Sequence, residues 1–115
     1  MRVEERVTGE IAVLSLSGNM LTGGPSVMLA KMVRSLLDRS CHHIVIDVGR
    51  VQYVDSGGLG ALVEAFTAAR NRGGTIEMAN VARRLKDLLI ATRLLLVFEC
   101  ADEEDEAIES WTTVH

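Results

Sequence analysis

Apolar positions along this chain fall into short runs of two different periods, separated by glycine, asparagine and clusters of charge. Arg2 to Val7 and Ile11 to Ser17 read as strands, and Thr8-Gly9-Glu10 between them is short enough for a hairpin. In the second strand Ile11, Val13, Leu14 and Leu16 occupy both faces, which fits a strand covered on both sides. Gly18 to Gly24 reads as a loop closed by Gly23-Gly24-Pro25, with Pro25 suited to a first helical position because its missing N–H has no partner there anyway. Leu29, Met32, Val33, Leu36 and Leu37 then repeat at helical spacing, with Lys31, Arg34, Asp38 and Arg39 largely outside the stripe, giving a helix of about 14 residues. Ile44 to Val48 is a β-branched run of the kind that fills a central strand, and Gly49 to Tyr53 reads as a connecting turn. A second helix follows Ser56, with Leu59, Leu62, Val63, Phe66 and Ala69 on one stripe, and stops at Asn71-Arg72-Gly73-Gly74. Thr75 to Ala79 is a strand, and Asn80 a cap for a helix from Val81 to Ala91 with Val81, Leu85, Leu88 and Leu89 inside. Leu94 to Glu99 gives the last strand, and a final helix starts in Ala101 to Glu106 and contains Ala107, Ile108 and Trp111.

The order ββαβαβαβα predicts an α/β fold: a mixed, mostly parallel sheet with an antiparallel N-terminal hairpin, packed with about four helices. The 115 residues are expected to form one domain, 1–115, large enough for a core without covalent staples. Cys41 and Cys100 lack a C-x-x-C partner or a histidine at ligand spacing, so two free thiols are expected and no metal or cofactor. An aromatic content of 3% argues against base-stacking modules, and a net charge of −4 against an extended footprint on a phosphate backbone. No basic-then-apolar leader opens the chain and no apolar run is long enough to span a bilayer, which predicts a cytoplasmic protein with no membrane partner.

The chemistry-bearing stretch is Val54-Asp55-Ser56-Gly57-Gly58-Leu59-Gly60, between a strand region and a helix. Ser56 is placed to cap that helix, and three glycines in the next four residues leave its first turn bare, with backbone donors open to an approaching group. Each glycine costs up to ~1 kcal/mol of helix propensity relative to alanine, so the cluster needs a reason. Asp-Ser-Gly-Gly also occurs around the nucleophile of trypsin-like proteases, but that chemistry requires a histidine base, a buried aspartate and an all-β frame. His42 and His43 merely open a strand. A P-loop would continue with Gly-Lys-Ser/Thr, whereas residues 60 to 62 are Gly-Ala-Leu. A passive phosphate-binding helix end and a simple structural cap remain as alternatives.

A switch is favoured on electrostatic grounds. A phosphate on Ser56 adds a charge of about −1.5 to −2 at pH 7. The helix N-terminus favours it by ~0.3–1 kcal/mol, and Asp55 opposes it by a comparable amount, so the fold tolerates the modification. A partner that buries that charge uncompensated loses on the order of 3–5 kcal/mol, or ~10²–10³ in affinity. Elsewhere, Asp47 is either a polar neighbour of the serine loop or a carboxylate capping the turn after its strand. Arg83, Arg84, Lys86 and Arg93 read as a solvated helix face, and Asp102 to Glu106 as a helix start that opposes the dipole.

Ile44-Val45-Ile46-Asp47-Val48 followed by Tyr53-Val54-Asp55-Ser56-Gly57-Gly58-Leu59-Gly60, in this order of elements, resembles the STAS domain, and within it the bacterial anti-sigma factor antagonists. The resemblance extends to Gly18, Gly73-Gly74 and Leu94 to Phe98. It implies a partner-switching protein, not an enzyme. The unmodified form binds an anti-sigma factor that is a serine kinase of the GHKL, histidine-kinase-like ATPase type, and so releases the sigma factor. Phosphorylation at Ser56 ends binding, and a PP2C-type phosphatase reverses it. By this likeness Ser56 is the phosphoacceptor, and Asp55, Ser56, Gly57, Gly58 and Leu59 face the partner. The chain would act as a monomer or weak dimer. Two departures stand out: Gly57 replaces a frequent second serine or threonine, and Asn19-Met20-Leu21-Thr22 replaces a frequent Glu, apolar, Asp pattern. The alternatives are a STAS subunit of another assembly, such as a stress-signalling scaffold or lipid-transporter complex, and a small-ligand or nucleotide-binding domain using the Ser56 helix end.

Overall fold

The computed structural model describes residues 1–92 in full and the backbone of 99–101. Its elements are β1 (Arg2–Thr8), β2 (Ile11–Met20), α1 (Gly24–Asp38), β3 (His43–Val54), α2 (Ser56–Asn71), β4 (Thr75–Ala79), α3 (Arg83–Ala91) and β5 (Glu99–Ala101). The strands form one sheet in the order β1-β2-β3-β4-β5. The first pair is antiparallel, from Arg2 opposite Ser17 to Thr8 opposite Ile11. The pairs β2–β3, β3–β4 and β4–β5 are parallel. This is the mixed α/β sheet with an N-terminal hairpin that the alternation of periods predicts.

Strand alternation sets the layers. Ala12, Leu14, Leu16, Ile44, Ile46, Ile76 and Met78 share a core with Leu29, Val33, Leu36 and Leu37 of α1 and Ala61, Leu62, Ala65 and Ala69 of α2. Val13, Val45 and Ala79 form a second buried cluster at the intervening strand positions. Ile44, Val45 and Ile46 are all inaccessible to solvent, as a central strand covered on both faces requires. Each fully buried Leu or Ile here contributes about 1.5–3 kcal/mol relative to exposure.

Several elements run differently from the sequence reading. Strand β2 continues to Met20 instead of yielding to a loop at Gly18. Strand β3 continues through Gly49 to Val54, where a turn was expected. The two extensions explain each other: Ser17 pairs with Arg50, Gly18 with Val51, Asn19 with Tyr53 and Met20 with Val54, across irregularities that reset the register. This outer stretch of β3 lies beyond the pairing with β4, which ends at Asp47 opposite Ala79. Gln52 and Tyr53 are exposed there, so the hydrophobic pattern that marks a buried strand is missing.

Asn80 does not cap α3. It takes a left-handed conformation (φ 56°), which asparagine tolerates, and donates from Nδ2 to Asp47 Oδ2 at 3.1 Å. The helix starts two residues beyond Val81, with Ala82 as its N-cap. The buried side of α2 is Gly58, Ala61, Leu62, Ala65 and Ala69, whereas Leu59, Val63 and Phe66 are only partly covered. Helix α2 therefore lies down on small residues around Leu62, with its other large apolar residues at the margin. Strand β5 begins at Glu99, where the reading ended its last strand, and Ala101 belongs to it rather than to a helix. Leu94 to Phe98, Arg93, the acidic run 102–106 and the final helix lie outside the described residues. Cys41 is a buried free thiol.

Candidate functional site

Strands β2 and β3 end together at the pair Met20 and Val54, and the chain turns from each end into a helix. The turn after β3 is very short, since only Asp55 separates Val54 from α2. The Asp55 N–H donates to the Met20 carbonyl at 3.2 Å, which carries the sheet's hydrogen bonding one residue past the strands.

The helix cap is Asp55, not Ser56. Asp55 has extended backbone (φ −91°, ψ −178°), and its Oδ1 accepts from the Gly58 N–H at 2.8 Å. That is the geometry of a carboxylate N-cap, with its charge at the positive end of the helix. The other oxygen, Oδ2, accepts from the Thr22 N–H at 2.9 Å and from the Thr22 hydroxyl at 3.0 Å. One carboxylate thus joins the start of α2 to the turn before α1. The Thr22 N–H contributes most to holding the Asp55 carboxyl below the ordinary aspartate range, followed by the Gly58 N–H; partial desolvation opposes them, and the Thr22 hydroxyl and Gly57 N–H contribute less. Asp55 is therefore ionised at neutral pH.

Capping by the preceding residue leaves Ser56 at the first helical position, exposed. The glycines after it differ in what they do. A methyl group at Gly58 would stand 2.1 Å from the Met20 carbonyl oxygen, and one at Gly57 would stand 2.0 Å from the Thr22 hydroxyl oxygen and 2.8 Å from Thr22 Cα. These two glycines allow α2 to sit against the end of β2. A methyl group at Gly60 would meet nothing within 4 Å. The first turn is not an open cradle, because the Gly58 N–H is already taken by Asp55. Of the predicted partner-facing residues, Ser56 is exposed, Asp55, Gly57 and Leu59 are partly covered, and Gly58 is buried. Leu59 also packs against the core.

Sequence reasoning did not give Thr22 a role. Its only signal was its position in a loop that departs from the family pattern. Beside Gly57 and Gly60 a shallow groove runs between α1 and α2, walled by Val27 and Lys31 on one side and Glu64 on the other, with Glu64 paired to Arg34 at 3.3 Å. A larger apolar cavity of about 530 Å³ between the outer part of β3 and α3, lined by Val48, Val51, Tyr53, Leu85 and Leu88 among others, includes none of residues 55–60. Asp47 lies on β3 and accepts from the Gly49 N–H at 2.9 Å and from Asn80. It braces its own strand and the β4–α3 turn, rather than capping a turn after its strand, because β3 continues to Val54. Arg83, Arg84 and Lys86 are exposed on α3. Among the described residues no three His, Cys, Asp or Glu side chains converge as metal ligands, and no helix is long and apolar enough to cross a membrane.

Comparison with known proteins agrees with this architecture. An anti-sigma F factor antagonist of Paenibacillus polymyxa is 24% identical over 98 residues, covering 85% of this chain and 84% of that protein. A candidate anti-sigma factor antagonist from Thermotoga maritima superposes with a TM-score of 0.85 at 18% identity, over 94% of this chain and 92% of the other. The Bacillus cell fate determinant SpoIIAA in its phosphorylated form gives a TM-score of 0.75 at 18% identity, over 95% and 98% of the two chains. The sequence profile of the STAS domain matches residues 2–107. With that match spanning nearly its whole length, the chain belongs to the STAS domain family.

Proposed function

We propose that this protein is an anti-sigma factor antagonist working as a single domain, residues 1–115, in the cytoplasm. Its unphosphorylated form binds an anti-sigma factor that is a GHKL-type serine kinase, which frees the sigma factor, and phosphate on Ser56 ends that binding. A PP2C-type phosphatase restores the active form. The antagonists among its relatives support the class of partner, and SpoIIAA has been described in both unphosphorylated and phosphorylated forms.

The observation that carries the reading is the exposed Ser56 beside an already ionised cap. Asp55 occupies the helix's positive end, so a phosphate on the next residue gains little from the dipole and adds to an existing negative charge. Nothing in that arrangement requires the fold to change when the phosphate arrives. The change falls on whatever covers Ser56, because a dianion pressed into a contact that suits a bare hydroxyl is uncompensated. The test is binding to the purified kinase-type anti-sigma factor encoded nearest this protein's gene. Ser56→Ala is expected to bind like wild type and Ser56→Asp to lose ~10²-fold or more in affinity. Incubation with that kinase and ATP should place phosphate on Ser56 by mass spectrometry. Equal binding by the two variants, with no phosphate on Ser56, overturns the assignment.

A further inference from the structure

We propose that Thr22 and Gly57 form a matched pair that, through Asp55, sets the position of Ser56 for its kinase, making Thr22 a specificity-determining positioning residue. The inference rests on the function proposed above and adds a residue from a different loop to the site. Three contacts carry it. Both donors of Thr22, its N–H and its hydroxyl, end on one oxygen of Asp55. The other oxygen of Asp55 holds the Gly58 N–H, one turn into the helix that begins with Ser56. Gly57 lies against the Thr22 side chain so closely that even a methyl group in its place would overlap the hydroxyl oxygen, Cβ and Cα. Thr22 therefore fits only because residue 57 has no side chain, and Asp55 is held from both loops only because Thr22 fits. The backbone before Thr22 is also tied down, since the Ser26 hydroxyl donates to the Leu21 carbonyl at 2.8 Å. A kinase that recognises Ser56 meets a surface made from both loops, and their relative placement depends on this pair.

The experiment measures phosphorylation of the full chain by the same gene-neighbour kinase with ATP, separating KM for the protein from kcat, with thermal melts alongside. Thr22→Val keeps the shape and the N–H but removes the hydroxyl. Its KM should rise ~10-fold; its melting temperature should also fall by a few degrees, because the lost hydrogen bond to a charged group holds the free protein too, but the protein stays folded at the assay temperature. Thr22→Ser, which keeps the hydroxyl, should remain within ~3-fold of wild type. Gly57→Ser should be impaired more than Thr22→Val. The double variant Gly57→Ser with Thr22→Gly should recover part of that loss, because only the Cα overlap is left. A wild-type KM in Thr22→Val, or strict additivity of the Gly57→Ser and Thr22→Gly effects, overturns the pairing while the proposed function stands. Absence of phosphate on wild-type Ser56 overturns the function and this inference together.

Discussion

Asp55 connects more of this molecule than any other side chain near the site. Its carboxylate caps α2 and fastens Thr22, and its N–H extends the bonding of the β2 end. The carboxyl binds its proton less tightly in the folded chain than in the unfolded one. The stability it contributes is therefore complete above the unfolded value of ~3.9 and is lost as pH falls through the lower folded value. Melts of wild type and Asp55→Asn between about pH 7 and pH 2 should show a wild-type advantage that is constant down to about pH 5 and shrinks in acid. The glycines separate by the same residue-level logic. Gly58→Ala must displace the Met20 carbonyl and should destabilise by ~3 kcal/mol or more in urea unfolding. Gly60→Ala meets open space in a helical position and should stabilise by ~1 kcal/mol. If Gly60 forms part of the partner contact, that same variant binds the kinase more weakly although it folds better.

At the level of elements, the sequence conveyed what periodicity can convey. Strand β4 was read with its observed ends, β1 and α1 to within a residue or two, and the antiparallel hairpin followed from a three-residue connection. Misreadings occurred where tertiary contacts overrule local pattern. The outer half of β3 carries Arg50, Gln52 and Tyr53 on exposed or partly exposed positions, so no buried face announced it. Ser56 is a good capping residue, yet Asp55 caps because the Met20 carbonyl holds its backbone extended and Thr22 occupies its second oxygen. On α2 the reading placed Leu62 and Ala69 correctly, but helix–sheet closeness at Gly58 turns Ala61 and Ala65 inward in place of Leu59, Val63 and Phe66. Enlarging that face tests the point: Ala65→Leu, at a position 2% exposed, should cost ~1–3 kcal/mol in chemical denaturation. Leu62→Ala should cost ~2–5 kcal/mol through the cavity it leaves. The Asp55 to Gly60 stretch was legible as a short motif; Thr22 was not, because 33 residues separate it from the carboxylate it binds.

Across the whole molecule, stability comes from the layered apolar core and not from its surface charges. The described ion pairs Arg2–Glu4 at 3.8 Å, Arg34–Glu64 at 3.3 Å, Arg39–Glu5 at 3.0 Å and Arg72–Asp38 at 2.6 Å all have solvent-exposed members. Such pairs are each worth ~0–1 kcal/mol and are screened by salt. Replacing Arg34 and Arg72 together by glutamine should therefore lower unfolding free energy by less than ~2 kcal/mol, and raising salt should erase most of that difference. The two turns that flank Met20 and Val54 leave the sheet from one end, outside the packed layers. Evolution can rewrite such turns while the scaffold stays as it is. Transplanting residues 19–24 together with 55–60 from a known antagonist should carry that donor's choice of kinase with it, whereas either segment moved alone would leave Thr22 or Gly57 without its counterpart.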